Sequence, residues 1–350
     1  MATYHAGWES PGLSLSDAGA VSEQSGPMPS QMPSTPQPSF AFDPTYGGDL
    51  DAFLAIEPPA PPRGFAAFWR ARYECALRVD PRPKLTPSGL WHPRFAVFDL
   101  QYDSTDGFPI RGWLLQPKAQ KACQGFVLGH GYGGIEAPSF ELPRDDAVYL
   151  VPCFRGLCRS RRAPISEDPR HHVLHDIHLR DRYILGGCVE DLWTGVSALL
   201  WLAPEVDGHV GYMGISFGGG IGALGLPWEA RIARAHLNVP SFGNQPLRLA
   251  LPTIGSAAAL QTFARQHPRV IETLAFYDAA VAARFIRQPV HLAAALFDPA
   301  VAPPSQFSIY NAIRSPKELF VLTAGHFDHP NRQEEEGRLL DALRDFFAML

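Results

Sequence analysis

Gly214-Ile215-Ser216-Phe217-Gly218 is a GxSxG pentapeptide. Alone the pattern is weak, because short motifs of common residues recur by chance. Its flanks give it force. The apolar run Val210-Gly-Tyr-Met213 precedes it and the small-residue stretch 218–223 follows, which predicts the strand, tight turn and helix of a nucleophile elbow. There the serine sits at a strained backbone angle, and Gly214 and Gly218 let strand and helix approach closely.

A serine hydroxyl is a poor nucleophile near neutral pH, so it needs a base, and the base needs an orienter. In α/β-hydrolases these follow in the order Ser, Asp, His. Asp298 ends the apolar run 290–297, and His326 follows the run 319–323 through Ala324-Gly325. Both fall just beyond the carboxyl ends of expected strands, the edge where open α/β sheets bind ligands. Among rival histidines, His236 and His291 lie inside apolar runs and His267 precedes a proline. His329 is the serious rival, but Gly325 allows a tight turn that aims His326 back over the sheet edge.

Upstream, residues 125–134 (GFVLGHGYGG) read as a strand entering a glycine-rich loop. The main-chain N–H groups of Tyr132 and Phe217 are therefore the expected oxyanion donors. Arg155, just past the run 147–154, is a candidate brace for these loops.

The elements that must position these residues are short apolar runs at 95–102, 109–115, 125–129, 147–154, 210–215, 235–239, 290–297 and 319–323, bounded by Gly, Pro and Asp. Several are hydrophobic throughout, as expected for a sheet covered on both faces. Helix-length segments lie at 188–202, 219–226, 268–285 and 332–349, the last with Leu339, Leu340, Leu343, Phe346 and Phe347 on one stripe. Phe65, Phe68, Trp69 and Tyr73 suggest a further short helix. This alternation predicts an α/β fold, a mostly parallel sheet with helices on both faces. The turn 103–108 predicts that the sheet opens antiparallel.

At 350 residues, 46% hydrophobic and 19% charged, the chain can bury a large core. Its formal charge of −5 offers no basic surface for phosphate binding, so nucleic acid is not an expected partner. No run of about 18 apolar residues occurs, so no membrane span is expected. The five cysteines are odd in number with no CxxC spacing, which disfavours a disulfide framework or zinc ribbon. Together with an amino terminus lacking cationic and apolar signal regions, they point to a cytoplasmic location.

Residues 1–45 hold seven prolines, eight serines, four acids and no Lys or Arg, so most of the net charge sits there. That composition predicts a disordered extension, with residues 46–350 as a single domain. A second proline cluster, 58–62, closes the linker.

His171, His172, His175 and His178 crowd into eight residues. On a helix His171, His175 and His178 would share a face, which a metal could use. Arg170, Arg180 and Arg182 oppose a cation there, and the triad already supplies an activated nucleophile, so neither metal nor cofactor is expected.

HGYGG, Arg155-Gly156, GISFGGG, Phe276-Tyr277-Asp278, the stretch 297–305, Tyr310-Asn311, Lys317-Glu318 and Gly325-His326 together resemble the acetyl xylan esterase and cephalosporin C deacetylase family, carbohydrate esterase family 7, over roughly residues 64–350. The resemblance implies an α/β-hydrolase fold with Ser216, Asp298 and His326 as triad and the Tyr132 and Phe217 amides as oxyanion donors. It implies a small-molecule ester substrate, with acetyl or similar short acyl groups removed from carbohydrate hydroxyls. It also implies a homo-oligomer, a ring of six, with contacts in a helical insertion at 241–288.

Three positions depart from the family pattern. Arg-Gly-Gln becomes Arg155-Gly156-Leu157, Ser-Gln-Gly becomes Ser216-Phe217-Gly218, and His-Glu becomes His326-Phe327. No triad member is lost. Losing the polar side chains favours a more apolar substrate, and so an alternative activity as a general short-chain carboxylesterase or lactonase. A hydrolase-fold binding protein without catalysis is the remaining alternative.

Overall fold

Strands β1 (Lys84–Trp91), β2 (Phe95–Asp103), β3 (Pro109–Pro117), β4 (Gln124–Gly129), β5 (Ala147–Pro152), β6 (Val210–Ile215), β7 (Ile232–Asn238), β8 (Val290–Ala295) and β9 (Lys317–Leu322) form one sheet in the order β1-β2-β3-β5-β4-β6-β7-β8-β9. The protein is seen here as a computed structural model that describes residues 40–350. β1, β2, β3 and β5 pair antiparallel, while β5, β4 and β6 to β9 pair parallel. This is the expected α/β sheet with an antiparallel start.

β4, β5 and β8 are buried at every position, because helices cover both faces. Their side chains alternate between two cores, as a period of two requires. Val127, Val148 and Leu150 face one, built with the helices Phe65–Leu77, Ile184–Leu202, Phe217–Gly225 and Ala279–Ala283. Phe126, Leu128, Tyr149 and Val151 face the other, which the carboxyl-terminal helix Arg332–Phe347 closes with Leu339, Leu343, Phe346 and Phe347.

Some elements differ from expectation. The expected helix over 268–285 is two, Val270–Ala275 and Ala279–Ala283, because Asp278 takes an extended conformation and caps the second with its carboxylate. Within 241–288 the helices Gln245–Ala250 and Gly255–Gln266 also occur.

Residues 1–39 of the expected extension lie outside the described residues. Residues 40–45 depart from it: Phe40 packs on Phe297 and Phe327, with ring centroids 6.2 and 6.1 Å away, and Pro44 O accepts the Asp298 N–H at 3.1 Å. Residues 40–45 are thus held against the folded body by the Phe40 ring and the Pro44 carbonyl.

Candidate active site

Ser216 stands between β6 and the helix Phe217–Gly225 at φ 53°, ψ −111°, outside the regions a non-glycine residue normally occupies. The contacts around it hold this strain. Ser216 N–H donates to Asn238 O at 2.8 Å, and its carbonyl accepts from Gly220 and Ser241. A Cβ at Gly218 would run into the Gly129 carbonyl, and one at Gly214 into Gly218. Tyr212, from β6, ties the turn from below by donating to Gly218 O at 2.6 Å.

His326 sits at φ 46° in the turn after β9, and its side chain is 20% exposed. Its Nε2 lies 2.8 Å from Ser216 Oγ and its Nδ1 2.8 Å from Asp298 Oδ2. A carboxylate can only accept, so the proton is on Nδ1 and the serine hydroxyl donates to Nε2. Burial disfavours the charged imidazole, but the Asp298 charge and hydrogen bond outweigh it and raise the His326 pKa above its ordinary 6.5. Asp298 is fully buried and further accepts from Ala300 N, Val301 N and Gln306 Nε2, each at 2.9 Å.

The rival histidines are elsewhere. His329 pairs with Glu335 at 3.5 Å. His236 and His291 face each other across β7 and β8 inside the core, Nδ1 to Nδ1 3.1 Å.

The loop after β4 comes up beside the serine, a Cβ on Gly131 lying 3.7 Å from that of Ser216. Buried His130 fixes its base: Nδ1 is 2.7 Å from Gly131 O, and Nε2 accepts the Phe154 N–H at 3.1 Å. Among the described residues neither the Tyr132 nor the Phe217 main-chain N–H has an acceptor, which leaves both free for a substrate oxygen. The Tyr132 and Phe217 rings pack 4.2 Å apart.

Arg155 follows the end of β5. Buried against Asp191, it donates from its main-chain N–H at 2.9 Å, from Nε at 3.0 Å and from Nη2 at 2.6 Å. Its Nη2 also reaches Ser104 and Thr105 in the turn between β2 and β3. Its carbonyl accepts from His172 Nε2 at 2.9 Å, and His172 Nδ1 lies 3.3 Å from the Tyr132 hydroxyl. Burial pushes the His172 imidazole down to about 4, so it remains a neutral link between Arg155 and the loop 131–136. The sequence marks His172 only as one of a histidine cluster. The four diverge: His171 is exposed, while His178 packs tilted against Phe263 and edge-on to His267. Among the described residues no three His, Cys, Asp or Glu side chains group to hold a metal.

A cleft of about 850 Å³ opens over Ser216 and His326, walled on one side by the loop 131–136 and on the other by Arg248, Leu251 and residues 253–257 of the helical segment. Of the three departures, only Leu157 lines it. Phe217 is buried in the core, and Phe327 packs on Phe297 and Phe40. The apolar shift expected from all three therefore reduces to one side chain.

No helix among the described residues is long and apolar enough to cross a membrane. The structure is similar to an acetyl xylan esterase from a Paenibacillus species (TM-score 0.74, 20% identity, 84% of this chain and 99% of that one). It is also similar to acetyl xylan esterase 1 from a Thermoanaerobacterium species (TM-score 0.71, 20% identity, 86% and 99%). A Pyrococcus horikoshii acylaminoacyl peptidase shares the fold more distantly (TM-score 0.58, 16% identity, 73% and 42%). The family model described as acetyl xylan esterase (AXE1) matches residues 57–337, and the chain therefore belongs to the acetyl xylan esterase family, a serine ester hydrolase of the α/β-hydrolase fold.

Proposed function

We propose that the protein removes acetyl and similarly short acyl groups from esters of carbohydrate or related alcohols by a two-step acyl transfer at Ser216. The observation that carries this is the unbroken line of hydrogen bonds from Ser216 Oγ through His326 to Asp298, at 2.8 Å each. Ser216 Oγ attacks the ester carbonyl as His326 Nε2 takes its proton, and Asp298 holds the imidazole and stabilises its charge. The carbonyl oxygen becomes an anion between the Tyr132 and Phe217 amides. The alcohol leaves with the proton from His326, and water, activated by the same base, releases the acid. Ser216→Ala should abolish both hydrolysis of 4-nitrophenyl acetate and labelling by a fluorophosphonate. Retention of most turnover would sink the assignment.

Leu157 in the cleft supports a second reading, a general short-chain carboxylesterase. Acetylated xylo-oligosaccharides hydrolysed no faster than simple alkyl acetates would favour it. The five free cysteines support a cytoplasmic location, which fractionation of native cells tests. Assembly into a ring of six rests on the family resemblance and is tested by light scattering of the purified chain.

A further inference from the structure

The arginines of the cleft are not alike. Arg159 pairs with Asp99 at 2.6 Å, Arg161 with Glu167 at 3.2 Å and Arg170 with Asp168 at 2.7 Å. Arg248, on the helix Gln245–Ala250, lines the same cleft and has no carboxylate partner among the described residues. It is only 8% exposed. Among the described residues the one hydrogen bond of its guanidinium is a long contact, 3.4 Å, from Nη1 to Gln245 Oε1. Asp278 acts on it through space, but that carboxylate is taken up by the N–H groups of Asn244, Gln245, Ala280 and Val281 at 2.9, 2.7, 2.9 and 3.3 Å.

A guanidinium this buried with so few acceptors is costly, and burial shifts its pKa down. The same surroundings make it a strong anion receptor, because its fork matches a carboxylate and the low dielectric strengthens the pairing. It is also in the right place. Its Cζ lies 5.1 Å from the centre of the Phe242 ring, and Phe242 touches the rings of Tyr132 and Phe217, at 6.5 and 5.8 Å. One aromatic ring thus separates the guanidinium from the two residues that supply the oxyanion amides. The cleft is far larger than an acetyl group, so the space beside Arg248 belongs to the alcohol portion.

We propose that Arg248 binds a carboxylate on the alcohol portion of the substrate, so that the preferred esters are acetylated hydroxy acids, such as acetylated uronic acids, rather than neutral sugars. This rests on the esterase reading of Ser216. The chemistry of the ester step is unchanged; Arg248 acts as a specificity-determining residue that positions the anion.

The test compares acetate release from an O-acetylated methyl glucuronoside as the free acid and as its methyl ester, which differ in the negative charge and one methyl group. The wild-type protein should show kcat/KM at least about tenfold higher for the free acid, the worth of one charge-assisted pair. In Arg248→Met, which keeps the side-chain stem, that ratio should fall to about one, and in Arg248→Lys to an intermediate value. Because the readout is a ratio, any general loss of activity cancels. A wild-type ratio of one or below, or a ratio unchanged in Arg248→Met, overturns the proposal. If Arg248→Met does not fold, Arg248→Lys with an undiminished ratio does so. Failure of the wild-type protein to hydrolyse the methyl ester, the acid and 4-nitrophenyl acetate alike would instead overturn the esterase reading beneath it.

Discussion

Gln306 and His326 share one oxygen of Asp298: Gln306 Nε2 donates to Oδ2 at 2.9 Å and His326 Nδ1 donates to the same atom at 2.8 Å. The glutamine is itself fixed, since its Oε1 accepts the Ala295 N–H at 2.9 Å and its Nε2 also reaches Val301 O at 2.7 Å. The helix Pro303–Ala312 is thereby locked to the end of β8, and the carboxylate cannot rotate away from the imidazole.

Gln306→Leu should lower kcat by roughly tenfold, since it leaves a buried carboxylate lone pair and an amide N–H unsatisfied, about 1–3 kcal/mol. KM should change little. The less solvated carboxylate also holds the imidazolium more strongly, so the acid limb of the pH profile should move up. A kcat loss with an unmoved limb would mean that Gln306 supports only the fold.

His326 must be neutral to act as base, and its pKa is raised above 6.5. The rate is therefore lost as pH falls through that raised value, and the acid limb of kcat/KM, which reports the free enzyme, should lie above pH 6.5. Asp298→Asn removes the charge that raises it and leaves burial, which lowers it. The limb should then drop below 6.5 while kcat falls by on the order of 10³ to 10⁴. A pH–rate series on both proteins checks the two signs.

The elbow was legible because its determinants are neighbours in the chain: the apolar run before Ser216 and the glycines around it. Asp298 and His326 were legible from chain order and from the ends of apolar runs. β1 was not, because Pro87 and Gly89 interrupt it and, as an edge strand, it is largely exposed. The helix Pro303–Ala312 escaped notice because it buries polar Ser305, Gln306 and Ser308, and Gln306 and Ser308 find partners on other elements. His172 and Asp191 were missed for the same reason: their roles exist only once Arg155 is brought to them across the fold.

Arg155 and Asp191 are both buried, at 6% and 0% exposure. Removing one partner strands the other, so Arg155→Met should cost about 3–5 kcal/mol in urea unfolding. Pairing it with Asp191→Leu should recover part of that loss, since the orphaned charge is gone. Additive losses in the double variant would show that the pair is not coupled.

A Cβ on Gly325 would collide with Asp298 Oδ2 and lie 3.0 Å from Val239 Cγ1. Gly325→Ala should therefore displace the carboxylate from His326 and cut kcat by about a hundredfold, for an overpacking cost of only about 1–3 kcal/mol. Activity near wild type would mean that the turn yields instead. Kinetics alongside a urea midpoint separates the two losses.

Cys158 lines the cleft at φ 48°, and its Sγ accepts the Ile135 N–H at 3.3 Å. A hydrogen bond from Cys153 holds its thiol low, at about 6, against the effect of burial. Cys123 is exposed, but burial of the thiol and the Asp146 carboxylate push it up. The thiolate is the nucleophile, so at neutral pH iodoacetamide should label Cys158 before Cys123. The Cys158 rate should be nearly flat between pH 7 and 8.5, where that of Cys123 climbs. Because the adduct sits in the cleft beside the loop 131–136, labelling should remove esterase activity in step with the mass shift, and Cys158→Ser should resist. Peptide mass mapping against residual hydrolysis of 4-nitrophenyl acetate reads both, and inactivation that tracks Cys123 would reverse the assignment.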